Sequence, residues 1–363
     1  MNTYIIAELG VNHNGKIELA KQLIDLAVDA GADAVKFQMY ATDELVSENA
    51  PLADYQCHRL ANITSQKQLL DDLKLSKSQF VELYKYSNDR KIDFLCTPFD
   101  INSLKFLVED LNLETIKIAS PDITNAQLLH NVGKYKVEVI LSTGMCVLDD
   151  IEFALGVLAS AFVSPEKFPT ENQIKASVRK TEAQRVLREK VTLLHCTSDY
   201  PTKLKDVNLR AIKQLSDAFG LKVGYSDHTK SLEVPLGAVA MEAKVIEKHL
   251  TIDTDMEGPD HDASFEPAEF REMVTKIRLL EEALGKVSKY PSNAEISNRG
   301  LLRRSIVAKT DIARDEEFTE NNLMVTRPES GISSRYFYEY VGKNSNKDYR
   351  KGQVIVDPAK LSR

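Results

Sequence analysis

Val223-Gly-Tyr-Ser-Asp-His228 and Lys244-Val-Ile-Glu-Lys-His249 are short, largely apolar runs that each finish on a histidine able to bind a ligand. Six earlier runs have the same shape: Tyr4–Gly10, Ala34–Gln38, Asp93–Pro98, Thr115–Ser120, Glu138–Gly144 and Val191–Thr197. With Val223–His228 and Ala243–Leu250 they make eight expected strands of the buried, parallel type. Helix-period segments separate them. The segment 17–30 puts Leu19, Leu23, Leu26 and Ala27 on one face, and Gly31 is the expected stop. Segments 103–110, 125–132, 149–160, 208–219, 232–242 and 267–284 repeat the pattern, with Asp149 as an N-cap and Pro267 in a first turn. Strict alternation over eight units predicts an α/β fold, a (β/α)8 TIM barrel. An open doubly wound sheet would normally carry a Gly-rich dinucleotide loop after its first strand, and Gly10-Val-Asn-His-Asn-Gly15 does not fit that motif. In a barrel, every strand ends at one mouth, where the chemistry sits.

Two connections are long. Residues 39–76 follow the second strand and are expected to cover the mouth, whereas 161–190 precede the sixth strand and read as a helical surface insertion on the opposite face. The barrel is expected to span residues 1–285. Residues 286–302 are polar, with Pro291 and Gly300, and read as a linker. From Arg303 to the end, β-like pieces at 305–308, 323–326 and 353–356 predict a small β-rich domain, 303–363, that is marginal alone.

Composition narrows the function. The 363 residues are 43% hydrophobic and 28% charged, which is ordinary for a soluble enzyme. A net charge of −7 disfavours a nucleic-acid partner, although two lysines can still hold an anion locally. Cys57, Cys96, Cys146 and Cys196 form no CxxC pair, so reduced thiols are expected. The N-terminus lacks the basic start of a signal peptide, and no run approaches the ~20 apolar residues of a membrane span, so no membrane partner and a cytoplasmic location are expected.

The strand ends supply Glu8, Lys36, Gln38, Thr97, Lys117, Ser120, Ser142, Thr143, His195, Thr197, Ser226, Asp227, His228, Lys248 and His249. Lys36 and Lys117 lie in apolar strands and need counter-charges. Either an anion such as phosphate, held also by Ser120, Ser142 and Ser226, or an internal partner such as Glu8 meets that need. His228 and His249, on adjacent strand ends, suit a divalent metal with open positions; a hydrogen-bonded core pair is the other reading. His195 is expected in the barrel wall. Ser226-Asp227-His228 is no hydrolase triad, because neighbouring strand residues point to opposite faces.

These residues carry a resemblance. Ala7-Glu-Leu-Gly-Val-Asn-His-Asn-Gly15, Val35-Lys-Phe-Gln38, Ser142-Thr-Gly-Met145, His195-Cys-Thr197, Ser226-Asp-His-Thr229, Glu247-Lys-His249 and Gly258-Pro-Asp-His261 resemble the sialic acid synthase family. Arg303-Arg-Ser305, Ala308-Lys-Thr-Asp-Ile312, Arg327-Pro328 and Gly331-Ile-Ser333 resemble its antifreeze-like (SAF) domain. The resemblance implies condensation of phosphoenolpyruvate with an N-acylated mannosamine-type sugar and water, giving a nonulosonic acid and phosphate. It implies phosphoenolpyruvate binding by Lys36, Lys117, Ser120, Ser142 and Ser226, and Mn²⁺ or Mg²⁺ on His228 and His249. Glu8, Gln38, Tyr200 and Asp260 would face the reacting sugar, with Asp122 at its hydroxyls. Arg327 would reach the N-acyl group across a domain-swapped homodimer, or else cap a loop of its own domain.

Two departures sit at the sugar-facing mouth. Pro121-Asp122 stands where the family usually has Gly-Glu, and Ser198-Asp199 replaces a polar-Glu pair. They bear on which sugar is used. The first expectation is N-acetylneuraminate from N-acetylmannosamine; the alternative is N,N'-diacetyllegionaminate from 2,4-diacetamido-2,4,6-trideoxymannose. Glu8-Leu9-Gly10-Val11 disfavours the pseudaminate branch. More distant are a barrel aldolase with Lys36 or Lys117 as Schiff base, and an ice-binding role for the small domain, whose charged 314–317 and 350–351 make a poor ice face.

Overall fold

The structure is a computed structural model that describes residues 2–48, 50–51, 65–178 and 180–357. It divides into two compact units, Met1–Gly285 and Lys286–Arg363.

The first unit holds β1 (Tyr4–Gly10), β2 (Ala34–Met39), β3 (Asp93–Pro98), β4 (Thr115–Ile118), β5 (Glu138–Ser142), β6 (Val191–Cys196), β7 (Lys222–Asp227) and β8 (Val245–His249). The parallel pairings run β3-β2-β1-β8-β7-β6-β5-β4, and the two end strands, β3 and β4, lie against one another, which gives the expected barrel. Alternation divides the side chains. Ile6, Ala34, Leu95, Ile140, Leu194 and Val245 point inward and fill the lower barrel. Their strand neighbours Ile5, Ala7, Val35, Phe37, Leu193, Tyr225 and Ile246 point outward into the larger core under the helices. Two residues further along each strand, the inward positions turn polar, and there the site begins.

The helices Ile17–Ala30 and Pro267–Leu284 match their expected spans, with Gly31 left-handed at φ 85° and Pro267 in the first turn. The helix after β5 starts at Leu148, so Asp149 is a first-turn acid rather than the cap, and Asp150 accepts from Val147 N instead. The expected helix 103–110 is a short α-helix, Ile101–Lys105, followed by a π-turn, Phe106–Asp110.

Residues 161–190 are less peripheral than expected. The helices Glu171–Ser177 and Thr181–Lys190 bury Ile174, Ala183 and Leu187 on Leu148–Val163 and strands β5 and β6. In the 39–76 connection, Gln66–Leu73 buries Leu69 and Leu73 against Val11, beyond the end of β1, at the mouth. Residues 52–64, including Cys57, lie outside the described residues; Cys96, Cys146 and Cys196 are free thiols.

In the second unit, part of the expected linker is helical. Asn293–Leu302 is a helix, started by a capping box between Ser292 and Glu295. Polarity misled the reading, because the helix buries none of its residues. Beyond it, β9 (Ser305–Ala308) and β10 (Leu323–Thr326) pair antiparallel. The expected third strand is reduced to a single bridge, Val307 with Val354. Ile306, Ile312, Phe318, Tyr340, Tyr349 and Ile355 form this unit's own core.

Candidate active site

The polar layer at the barrel's upper end brings the predicted residues together. Register sets Glu8 beside Lys36 on one side and His249 on the other, and Ser226 beside Glu247. Lys36 forms a buried ion pair with Glu8, lies 3.7 Å from Glu247 and donates to Thr97 Oγ1 at 3.4 Å. Gln38 Nε2 donates to Glu8 Oε1 at 3.1 Å. Lys117 Nζ donates to Ser142 Oγ at 2.6 Å and to the Ile118 carbonyl at 3.1 Å. Ser226 Oγ donates to Glu247 Oε1 at 2.7 Å. The sequence reading left open whether the lysines face an anion or an internal carboxylate. In this structure Lys36 has the carboxylates, and Lys117 has a hydroxyl and a carbonyl.

Glu247 was missed by the sequence reading as a site residue. It is buried, and its Oε2 has no hydrogen-bond partner. The signal was present, since an acid inside Val245–His249 sits at an inward position between Val245 and His249.

Charge balance in this layer is close. Burial pushes the Glu247 carboxyl up, but Lys117, Lys36 and Ser226 outweigh it and hold it down at about 2. Burial lowers the Lys36 ammonium, yet Glu247 and Glu8 leave it raised overall. A lysine so clasped is a cation, not a free amine, which counts against Lys36 as a Schiff base. Burial raises Glu8, assisted by Glu247 and opposed by Lys36. Lys117 is lowered, chiefly by burial.

Ser120 stands in a tight corner, accepting from Gly144 N at 2.9 Å with Cys196 Sγ at 3.2 Å. A Cβ on Gly144 would lie 2.4 Å from Ser198 Oγ and 2.9 Å from Ser120 Oγ, so only glycine leaves this corner open. Asp122 follows on the short 3-10 turn Ser120–Thr124 and accepts from Asn125 Nδ2 at 2.9 Å, with burial raising its carboxyl.

The two histidines meet, with ring centroids 5.5 Å apart. Tyr200 packs on His228 at 4.1 Å and stands edge-on to His249 at 5.9 Å. His228 Nδ1 lies 2.7 Å from the Thr197 carbonyl, an arrangement that puts the proton on Nδ1 and leaves Nε2 as an acceptor. His249 Nδ1 is buried without a hydrogen bond and lies 3.7 Å from Asp260 Oδ2. Burial holds His228 down at about 4 and His249 well below the usual histidine range. Two neutral imidazoles, one with an orphaned nitrogen, fit a divalent cation. Among the described residues no group of three or more His, Cys, Asp or Glu side chains is placed to hold a metal ion, so the two histidines are the candidate ligands. Asp260 is buried beside His249, and burial, with Glu8, raises its carboxyl to about 7.

His195, Lys248 and Asp227 do not point into this layer. His195 Nε2 lies 2.8 Å from the Val207 carbonyl in the wall, as expected for a structural histidine. Lys248 and Asp227 correct the sequence reading: they pair on the outward face, where alternation sends them. Arg327 is exposed just after β10 in the second unit.

The NeuB family profile matches residues 23–289 and the SAF domain profile residues 303–359. The chain is 43% identical over 353 residues to an N,N'-diacetyllegionaminic acid synthase of Campylobacter jejuni, covering 97% of this chain and 98% of that one. It is 37% identical to the N,N'-diacetyllegionaminic acid synthase of Legionella pneumophila, covering 98% and 94%. The crystal structure of an N-acetylneuraminic acid (sialic acid) synthetase from Leptospira borgpetersenii superposes with a TM-score of 0.67 at 33% identity, covering 82% of this chain and 90% of that one. With residues 23–289 matched by the family profile and at least 97% of its length by these two synthases, the chain belongs to the NeuB family.

Proposed function

We propose that this nonulosonic acid synthase condenses phosphoenolpyruvate with 2,4-diacetamido-2,4,6-trideoxymannose and water to give N,N'-diacetyllegionaminate and phosphate. End-to-end similarity to two synthases of that name supports this sugar over N-acetylmannosamine, which the sequence alone put first. The two buried lysines in a serine-rich layer support phosphoenolpyruvate as the other substrate.

In this reading Lys36 and Lys117 hold the phosphate and carboxylate, and Ser120, Ser142 and Ser226 donate to them. The bond from C3 of phosphoenolpyruvate to the sugar aldehyde carbon forms, leaving positive charge on C2. Glu8 offsets that charge and Gln38 holds Glu8 in place. Water adds at C2, the C2–O bond to phosphorus breaks, and phosphate leaves. Asp260 relays a proton between water and the sugar-derived oxygen. His228 and His249 would hold Mn²⁺ or Mg²⁺, which when bound supplies Lewis-acid polarisation of the aldehyde. Tyr200 packs on His228 and faces the sugar, and Asp122 binds its hydroxyls. Arg327 of a second copy, in a domain-swapped homodimer, donates to an N-acyl oxygen.

The test is phosphate release from phosphoenolpyruvate with Mn²⁺, offering the two sugars in parallel. The expected result is a kcat/KM at least tenfold higher with the diacetamido sugar. Equal or better use of N-acetylmannosamine would return the assignment to N-acetylneuraminate. Release with neither would overturn the substrate reading.

A further inference from the structure

We propose that Lys248 is a positioning residue, fixing the spacing of His228 and His249 from behind the barrel wall. The inference rests on the reading of those histidines as a metal pair.

Alternation turns Lys248 outward, into a layer that is otherwise apolar. Its side chain and that of Asp227 are both 0% exposed. Lys248 Nζ donates to Asp227 Oδ2 at 2.9 Å and also to the Thr229 carbonyl, and it stands 4.0 Å over the Phe265 ring. The carboxylate, the carbonyl and the ring face thus surround the ammonium. Asp227 Oδ1 in turn accepts from Thr229 N at 3.0 Å.

The partners are specific to the site. Asp227 and Thr229 flank His228, so the ammonium grips the chain on both sides of one histidine. Lys248 itself immediately precedes the other. Phe265 closes the circuit, since its N–H donates to the His249 carbonyl at 2.9 Å. The end of β7, the end of β8 and the loop through Phe265 are therefore tied at one point behind the two rings.

Stability does not account for this device. A buried ion pair is often no better than apolar residues of similar volume, because desolvation offsets the attraction. Apolar replacement would fill the space without bonding Thr229, and would leave the loop after His228 free to shift. Outer groups that orient metal-binding histidines commonly govern affinity by 10–100-fold.

The experiment titrates Mn²⁺ into the full-length protein without substrates and reads free Mn²⁺ by electron paramagnetic resonance. The double variant Lys248→Met/Asp227→Asn avoids stranding one charge and is expected to fold while losing about 10–100-fold in Mn²⁺ affinity. Ile277→Ala, a core truncation in the helix Pro267–Leu284, is expected to lower Tm and leave that affinity unchanged. An unaltered Kd in the folded double variant, or an equal loss in Ile277→Ala, would overturn the proposal. If the wild type fails to bind Mn²⁺, or His249→Ala binds as well as it does, the metal reading falls and the proposal with it. Should the double variant not fold, Phe265→Leu keeps both charges; a several-fold weaker Kd supports the clamp and an unchanged one removes it.

Discussion

At the scale of single residues, the site is a balance of two ammonium groups and two carboxylates inside a barrel. Lys36 and Lys117 were legible because a charge inside an apolar strand demands a partner. Glu247 gave the same signal but was read only as part of a run ending in His249. Its contacts say what its removal does. Glu247→Gln leaves Lys36 and Lys117 with less negative charge beside them. Breaking a buried pair this way is expected to cost roughly 3 kcal/mol. Added phosphate should recover much of that loss, because an anion bound between the lysines stabilises the folded state by mass action. Thermal melts of the variant with and without phosphate check this; a Tm that phosphate raises no more than it does in the wild type would mean that Glu247 does not share the anion site.

At the scale of elements, the strands were read almost to their ends, because buried parallel strands and amphipathic helices announce themselves through periodicity. What periodicity did not carry was a bulge. The register of β1 against β2 slips between Glu8 and Gly10, so Gly10 rather than Leu9 faces Phe37. A bulge re-aims the side chains around it. Gly10 has φ 41°, and a Cβ there would lie 2.6 Å from Glu8 Oε1 and 3.1 Å from Gln38 Nε2. Gly10→Ala is therefore expected to cost about 1–2 kcal/mol in stability and, by displacing Glu8, up to about 100-fold in kcat/KM. Steady-state kinetics beside a denaturant melt separate the two effects. Undiminished kcat/KM would show that Glu8 tolerates the shift. The helix Asn293–Leu302 was missed for the opposite reason: it has a cap but no buried face, so no apolar stripe marked it.

At the scale of the whole molecule, burial of neutral histidines links stability to pH. His13 is buried after β1, accepts from Gly15 N, and is lowered to about 4, chiefly by burial, which a hydrogen bond to the Gly10 backbone opposes and the nearby His261 reinforces. Its folded pKa lies below its unfolded one, so the unfolded chain takes up the proton first. The stability it confers is complete above about pH 6.5 and is lost as pH falls towards 4, about 3 kcal/mol in all. His228 adds a loss of the same sign. His13→Asn, which cannot titrate, should flatten the fall of Tm between pH 6.5 and 4 without abolishing it. A variant whose Tm falls as steeply as the wild type's would remove His13 from the acid response.

By itself, the sequence determined the barrel, the small β-rich domain after it and most of the residues of the polar layer at the barrel's upper end, since alternation and periodicity are local and a charged residue in an apolar strand is visible in one dimension. Tertiary structure alone decided which lysine meets which carboxylate, that Glu247 joins the layer, and that Lys248 and Asp227 close behind it. The reason is closure: β1 pairs β8 only once the sheet has wrapped round, and Glu8 then comes to lie beside His249 across 241 positions of chain.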